Sequence, residues 1–245
     1  VTAKDAADNT TATSTASSTY TRAAIPGAMD YTGVSVTSLT LQNTENGNSA
    51  SNPTTNFVVF ATSTDLRWNG YYVTSGGGTS TSEVWLSDAQ IDGLTLSNLE
   101  VSTTYSFTVV ARNADLIKTA TSTFSSTTTP PDTTAPTPNP PTYETAPTAD
   151  SSSSISATST TATDPTGPVS YYFTSVSGSC GADIGTGGTD SGWQTSRVYT
   201  DSGLQTNKCY AYTLTAKDGL DNTTATSAAS AEYTLANTPG TLSFS

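Results

Sequence analysis

Few residues in this sequence have the types and spacing that catalysis requires. The chain has 245 residues, none of which is histidine, and its only two cysteines are Cys180 and Cys209. Because no imidazole can serve as the base beside a serine or cysteine nucleophile, the common catalytic triads are excluded. Two carboxylates could still hydrolyse a glycosidic bond, but that reaction needs a cleft, which small domains with short loops lack. We therefore expect a protein without enzymatic activity.

Acidic residues that could bind a metal recur near turns and near the ends of the apparent domains. They are Asp5, Asp8, Asp132, Asp164, Asp218 and Asp221. Calcium at a domain junction is one interpretation, because hard cations need several oxygen ligands. Turn chemistry is the other, because Asp side chains bond their own backbone in tight turns. No Asp-x-Asp-x-Asp loop is present, so we favour turn chemistry and expect no cofactor.

Two pairs of residues could interact with sugars. Asn9 and Asn222 each begin an Asn-Thr-Thr sequon, the acceptor pattern for N-linked glycosylation in secreted proteins. Trp85 and Trp193 could stack on sugar rings if they are exposed. The alternatives stay open for both pairs: the asparagines are ordinary polar surface, and the tryptophans cover a sheet edge or a core.

An internal repeat determines which elements hold these residues. Residues 1–21 and 214–234 are identical at 15 of 21 positions, at a constant offset of 213. The two stretches therefore belong to the same part of a repeating unit. We expect residues 1–22 to form the last two strands of a preceding repeat, and residues 237–245 to form the first strand of the next one.

The composition indicates an all-β protein. Serine and threonine together exceed a third of the chain, hydrophobic residues make up 33% and charged residues 11%. The apolar residues come in short alternating clusters, which argues against disorder. Threonine is β-branched and fits the pleated surface of a strand.

The charge limits the possible partners. The net charge is −12 and the isoelectric point is about 4.1, whereas nucleic acid binding requires a basic face. An anionic membrane surface is disfavoured for the same reason. No run of about 18 apolar residues is present, so we expect no membrane insertion. The absence of histidine, the low lysine content and the abundance of threonine and serine indicate an extracellular or cell-surface location.

Strand-like clusters fall into two units. In residues 23–130 they predict strands at 34–41, 56–61, 68–74, 82–86, 94–99, 104–111 and 120–128. Residues 131–236 open with a proline-rich extended segment. Strands are then predicted at 154–158, 169–176, 193–200, 209–216 and 224–234. Neither unit shows helical periodicity.

About seven short strands in a hundred residues suggest an immunoglobulin-like sandwich, and two local motifs support this. Residues 98–105 (NLEVSTTY) and 203–210 (GLQTNKCY) both place a tyrosine six residues after a leucine. This spacing resembles the Gly-Leu-x-Pro-x-Thr-x-Tyr corner of fibronectin type III domains. The second unit, with its Asp132-Thr-Thr-Ala-Pro sequence, is also similar to repeats of large secreted bacterial surface proteins. The resemblance implies two tandem sandwiches, residues 23–130 and 131–236.

The resemblance also implies roles for specific residues. Tyr105 and Tyr210 should be structural, each with its hydroxyl bonded to upstream backbone. Cys180 follows the third-strand region and Cys209 opens the sixth strand, and these strands are neighbours in the family's sheet. A disulfide is therefore implied, with two buried thiols or a metal pair as the alternatives. Two departures from the family pattern are the missing second-strand tryptophan and the corner proline, which is Val101 or Thr206 here.

The function expected from these features is mechanical. Tandem sandwiches joined by proline-rich segments predict a structural repeat of a long extracellular filament, stalk or adhesin. Its expected partners are neighbouring copies or repeats of itself, end to end, and glycans. The alternative is a carbohydrate-binding or spacer module of a secreted polysaccharide-active protein.

Overall fold

A computed structural model describes residues 1–48, 55–177 and 180–240 of the chain. It divides the chain into two compact units, Val1–Pro131 and Asp132–Ser245. Within the described residues, fourteen strands are accompanied by one four-residue α-helix and one 3-10 turn. None of these helical segments has the length and apolar character needed to cross a bilayer.

The first unit consists of two antiparallel sheets. Its strands are β1 (Asp30–Thr32), β2 (Ser38–Gln42), β3 (Asn56–Ser63), β4 (Tyr71–Val73), β5 (Thr79–Ser80), β6 (Thr95–Ser97), β7 (Thr104–Arg112) and β8 (Ser125–Thr128). One sheet has the order β1-β2-β6 and the other β5-β4-β3-β7-β8. A short helix, α1 (Asp88–Ile91), precedes β6. This division of strands between two sheets is that of a fibronectin type III-like sandwich.

Alternation along β3 and β7 builds the core of the first unit. Phe57 and Val59 of β3 face inward opposite Ala111 and Val109 of β7, and all four are fully buried. Because strand side chains alternate between faces, the intervening residues point to the other side of the sheet. Trp68 is also buried and packs edge-on against the ring of Tyr105, with centroids 6.4 Å apart.

The second unit has the same arrangement with fewer strands. They are β9 (Tyr143–Ser151), β10 (Ser154–Ser159), β11 (Ser170–Val176), β12 (Val198–Ser202), β13 (Cys209–Lys217) and β14 (Ser230–Tyr233). The sheets have the orders β12-β10-β9 and β11-β13-β14, and all the paired strands are antiparallel. The 3-10 turn covers Gly181–Asp183. The predicted all-β, fibronectin type III-like fold is confirmed.

Several strand boundaries differ from the sequence predictions for local reasons. The strand predicted at 34–41 begins at Ser38, because Ser35 and Ser38 close a turn through their backbone and hydroxyl groups. The cluster at 82–86 forms no strand; Leu86 instead exchanges two backbone hydrogen bonds with Phe57. Part of the proline-rich segment forms β9, which tolerates Pro147 because it lies at the edge of its sheet.

The ends of the chain are also described in part. Residues 1–22 are exposed and contain an isolated bridge between Lys4 and Thr10, but no strand. Residues 241–245 of the predicted strand at 237–245 lie outside the described residues. Whether these segments belong to neighbouring repeats stays a prediction.

Candidate functional site

The tyrosine corners have the same geometry in both units. The hydroxyl of Tyr105 accepts a hydrogen bond from the backbone N–H of Glu100 at 2.9 Å, and that of Tyr210 accepts one from Gln205 at 2.7 Å. Both tyrosines are buried. The hydroxyls therefore satisfy an N–H group that the corner would otherwise bury without a partner.

Each corner region also contains a buried carboxylate that sequence reasoning missed. Asp65 is 1% exposed and accepts a hydrogen bond from the Tyr105 hydroxyl at 2.8 Å. Burial acts to raise the pKa of Asp65, but hydrogen bonds from Arg67 outweigh it and hold that pKa below its ordinary value. In the second unit, Asp201 is equally buried and accepts a hydrogen bond from Tyr212 at 2.8 Å.

Burial raises the pKa of both hydroxyls that face these carboxylates. Desolvation is the largest cause for Tyr105 and for Tyr212, and the neighbouring carboxylate adds to it in each case. Both tyrosines therefore stay protonated and act as donors at neutral pH. The hydrogen bond joins the loop after β3 to β7 in the first unit, and β12 to β13 in the second.

A threonine joins the last strand to each corner. Thr129 donates its hydroxyl to the carbonyl of Glu100 at 2.6 Å and accepts the N–H of Thr103 at 3.0 Å. Thr234 makes the equivalent bonds to Gln205 at 2.6 Å and to Lys208 at 3.1 Å. Thr129 and Thr234 are both buried. These threonines could not be distinguished by sequence among the many others in the chain.

The cysteines form the disulfide that the family resemblance implied. Cys180 lies in the loop after β11, and Cys209 is the first residue of β13. Both are buried beside Ala211. The bridge ties the loop that leads into the 3-10 turn to the central strand of its sheet.

One hairpin turn occurs three times in the described residues. Asp5 and Asp218 each accept backbone N–H groups two and four residues further on, at 2.8–3.0 Å. Asn113 accepts the N–H of Ile117 in the same way, at 2.9 Å. The residue before the end of each turn has a left-handed backbone, with φ of 68° at Asp8 and Asp221 and 63° at Leu116. The turn is thus built from local bonds.

A threonine also closes each of the three hairpins. Its hydroxyl accepts the N–H eight residues before it, at distances of 2.9, 3.1 and 3.0 Å. These hydroxyls belong to Thr11, Thr119 and Thr224.

The surroundings of the three hairpins differ. Leu214 of β13 is fully buried, whereas Val1, its equivalent in the first copy, is 95% exposed. In the part of the chain that the structure describes, Val1 therefore contacts no core, although its equivalent Leu214 is a core residue.

The predicted acidic residues come together only in the second unit. Carboxylate oxygens of Asp132, Asp164 and Asp218 all lie within 4.8 Å of one another. The Thr166 hydroxyl contacts all three, at 2.9 Å from Asp164 and 3.2 Å from Asp218. Since a hydroxyl has one proton, it can donate to only one of these carboxylates at a time. Oxygen donors this close are a set that Ca²⁺ could use.

The same carboxylates also accept hydrogen bonds from backbone N–H groups of their own turns. Asp132 accepts the N–H and hydroxyl of Thr134 at 3.0 and 2.7 Å. Hydrogen bonds from Thr134, followed by Thr166, lower the pKa of Asp132 to about 2. Asp8 and Asp221 lie outside the cluster and form ion pairs with Lys4 and Lys217. Calcium binding stays a prediction.

The two sequon asparagines differ in accessibility. Asn9 is exposed and its amide nitrogen donates to Asp5 at 3.0 Å. Asn222 is half-buried and donates to Asp218 at 2.7 Å. Because this nitrogen would carry the sugar, Asn9 is the more accessible acceptor. Glycosylation stays a prediction for both.

Trp85 and Trp193 hold equivalent positions beside the third strand of their units. The next residue, Leu86 or Gln194, bridges to β3 or β11. Trp85 is half-buried, and Arg112 and Lys118 lie over its ring at 4.2 and 5.3 Å from the centroid. Trp193 is 42% exposed. Lys217 lies over the Trp193 ring at 4.8 Å from the centroid, so the two tryptophans share a cationic neighbour and differ in how much of the ring is exposed.

No protein-family model matches the chain, and no curated protein matches it. Among solved structures, the chain is similar to the crystal structure of chicken CNTN1 FN1-FN3 domains, with 11% sequence identity and a TM-score of 0.34. The alignment covers 86% of this chain and 66% of that one. The fold assignment therefore rests on the strand order and the corner geometry described above.

Proposed function

We propose that this chain is a non-catalytic structural repeat segment of a long extracellular filament, stalk or adhesin, of the kind found in large secreted bacterial surface proteins. The observation that carries this proposal is the hairpin turn that recurs at residues 1–14, 109–122 and 214–227 with matching hydrogen bonds. The first and third copies also share sequence at an offset of 213. A recurring unit of this kind favours an extended array over a single binding site.

The surface chemistry fits the same role. The net charge of −12 and the abundance of hydroxyl side chains keep such an array soluble. The buried disulfide supports an oxidising, extracellular location, since such bonds rarely persist in the cytosol. The partners of each segment would then be neighbouring copies or repeats of itself, joined end to end.

The experiment is a concatemer of the 213-residue period. Residues 1–213 are joined head to tail in two, three and four copies, and contour length is measured by negative-stain electron microscopy. Strands of about nine residues at roughly 3.3 Å each span about 30 Å. With the turns at both ends a sandwich is about 35 Å long, so the expected increment is constant and at most roughly 70 Å per period.

A shifted period provides the matched control. Joining residues 1–200 instead omits part of β12 and about half of β13, so each internal second unit has an interrupted central strand. That protein should aggregate or lose its cooperative unfolding. The proposal fails if the 213-residue concatemer behaves as the shifted control does, or if its length does not grow by a constant step.

Location is tested separately on intact producing cells. An antibody against the folded chain should label the cell surface or shed fibres without permeabilisation. Labelling that requires permeabilised cells would contradict the extracellular part of the proposal and leave the repeat architecture standing.

A further inference from the structure

The three tryptophans of the chain have three different surroundings. Trp68 is buried in the first core, and Trp85 lies beneath two cationic side chains. Trp193 is 42% exposed, which leaves about 100 Å² of a side chain that can bury roughly 250 Å². One cation, Lys217, also lies over the Trp193 ring, but Trp193 keeps more exposed surface than Trp85, which lies beneath two.

The neighbours of Trp193 hold its ring in place. The Tyr172 ring packs edge-on against it, with centroids 5.3 Å apart and an interplanar angle of 65°. The Tyr172 hydroxyl donates to Asp190 at 3.2 Å, and Asp190 accepts the N–H of Ser175 at 2.9 Å. A ring fixed in this way loses little freedom when a ligand binds, and this favours affinity.

Polar groups surround the exposed ring. Asp190 is exposed and can accept further hydrogen bonds from hydroxyl groups. The ammonium group of Lys217 lies 4.8 Å from the centroid of the Trp193 ring and forms an ion pair with Asp221. An apolar platform beside a carboxylate acceptor and an ammonium donor matches a pyranose ring, which has one C–H face and a rim of hydroxyls.

We propose that Trp193, Tyr172, Asp190 and Lys217 form a binding site for neutral polysaccharide on the second unit. The charge of the site selects against acidic polymers, because Asp190 and Asp221 outnumber Lys217 and the whole chain carries −12. β-Linked glucose or N-acetylglucosamine units have the flat C–H faces that an indole ring can stack against. This inference does not depend on the filament proposal, and its test uses the single chain.

The test is isothermal titration calorimetry of the whole 245-residue chain with cellohexaose and with chitohexaose, and with polygalacturonate as the acidic control. We expect saturable binding of at least one neutral hexasaccharide. Trp193→Ala should weaken that binding at least about tenfold, as loss of a central aromatic anchor does. Trp85→Ala is the matched control and should leave it within about twofold.

A second variant covers the case in which Trp193→Ala does not fold, as judged by thermal denaturation. Trp193→Phe keeps an aromatic platform and should bind more weakly than the wild type and more strongly than the alanine variant. The proposal is overturned if neither hexasaccharide binds, if both tryptophan variants lose binding equally, or if polygalacturonate binds best. It is also overturned if Trp193→Ala changes only self-association in sedimentation, since the ring would then contact a second copy.

Discussion

The side chains that fix the two corners are few and chemically alike. A tyrosine hydroxyl and a threonine hydroxyl in each unit satisfy backbone groups at the turn before the central strand. These hydroxyls are buried, so each lost bond leaves a polar group without water. Such groups contribute more to stability than the exposed hydroxyl pairs along the strands, because solvent can replace the latter.

Replacement of the corner tyrosines by phenylalanine should destabilise each unit by about 1 kcal/mol or more. Tyr105→Phe should have the larger effect, because it leaves the buried carboxylate of Asp65 without that donor, whereas Tyr210 donates to the neutral carbonyl of Thr186 at 2.9 Å. Equilibrium denaturation measures the change. Tyr233→Phe is the control, because Tyr233 is 44% exposed and should be neutral. An unchanged curve for Tyr105→Phe would contradict the structural role of the corner.

Asp132 should make the second unit sensitive to acid. Its folded pKa of about 2 lies below the ordinary value of 3.8, so the folded state binds fewer protons than the unfolded state between these values. The stabilisation is therefore complete above about pH 4 and is lost as pH falls towards 2. Thr134→Val removes one of the hydrogen bonds and should shift this loss to higher pH. Denaturation at pH 2–6 should show a flatter dependence for Asp132→Asn; an unchanged profile would contradict this role.

Sequence alone could predict the corners and not the carboxylates behind them. The leucine-to-tyrosine spacing lies within eight residues, so it is visible in a single stretch. Asp65 lies 40 residues from Tyr105, and Asp201 lies 11 residues from Tyr212. Their pairing depends on how the sheets pack, which no local motif encodes. For the same reason, the sequence identified Asp132, Asp164 and Asp218 as candidate ligands but did not show that their carboxylates lie close together.

Among the elements, the central strands were the most predictable. β7 and β13 are nine residues long, and each has a buried residue at every second position, with further buried residues between them. A long run with this period-two component indicates a strand. Edge elements were less predictable, because their outer faces are polar. β9 has one fully buried residue, Pro147, and β1 has only three residues. Helix α1, of four residues, is too short for a helical period to appear.

The hairpin after β13 packs closely against the loop at Thr166 and Gly167, and Gly219 makes this close approach possible. A Cβ atom built at this position would lie 2.7 Å from the carbonyl oxygen of Thr166 and 3.0 Å from that of Gly167. The equivalent residue of the first hairpin is Ala6. The two hairpins therefore share the same turn, but only the hairpin with Gly219 leaves room for a loop such as Thr166–Gly167 to pack directly against it.

Gly219→Ala should destabilise the second unit by about 1–3 kcal/mol, because the new methyl group meets backbone atoms that cannot rotate away. Leu220→Ala is the matched control, because Leu220 is 48% exposed and its loss should have little effect. Chemical denaturation of both variants compares them directly. Equal stability of the two would show that the Thr166 loop moves freely, and would contradict the fitted packing.

At the scale of the whole molecule, the two units reach stability by different routes. In the described residues, the first unit has a single core cluster that includes Phe57, Trp68, Tyr105 and Phe107. The buried residues of the second unit fall into three smaller clusters, one of which contains the disulfide. A divided core provides less apolar burial in each part. We therefore expect the disulfide Cys180–Cys209 to supply a large part of the stability of the second unit.

Removing the disulfide should destabilise the second unit by roughly 3–4 kcal/mol, the value that the chain-entropy model gives for a bridge between residues 29 apart. That is a large share of the roughly 5–15 kcal/mol that stabilises a typical domain. Scanning calorimetry of a Cys180→Ser, Cys209→Ser double variant should show one transition shifted to lower temperature, with the transition of the first unit retained. Wild type in reducing agent should match the variant. Both treatments remove the disulfide, but only the double variant replaces the cysteine side chains. Agreement between them therefore assigns the loss of stability to the cross-link. An unshifted calorimetric trace would show that the divided core stabilises the second unit without the disulfide.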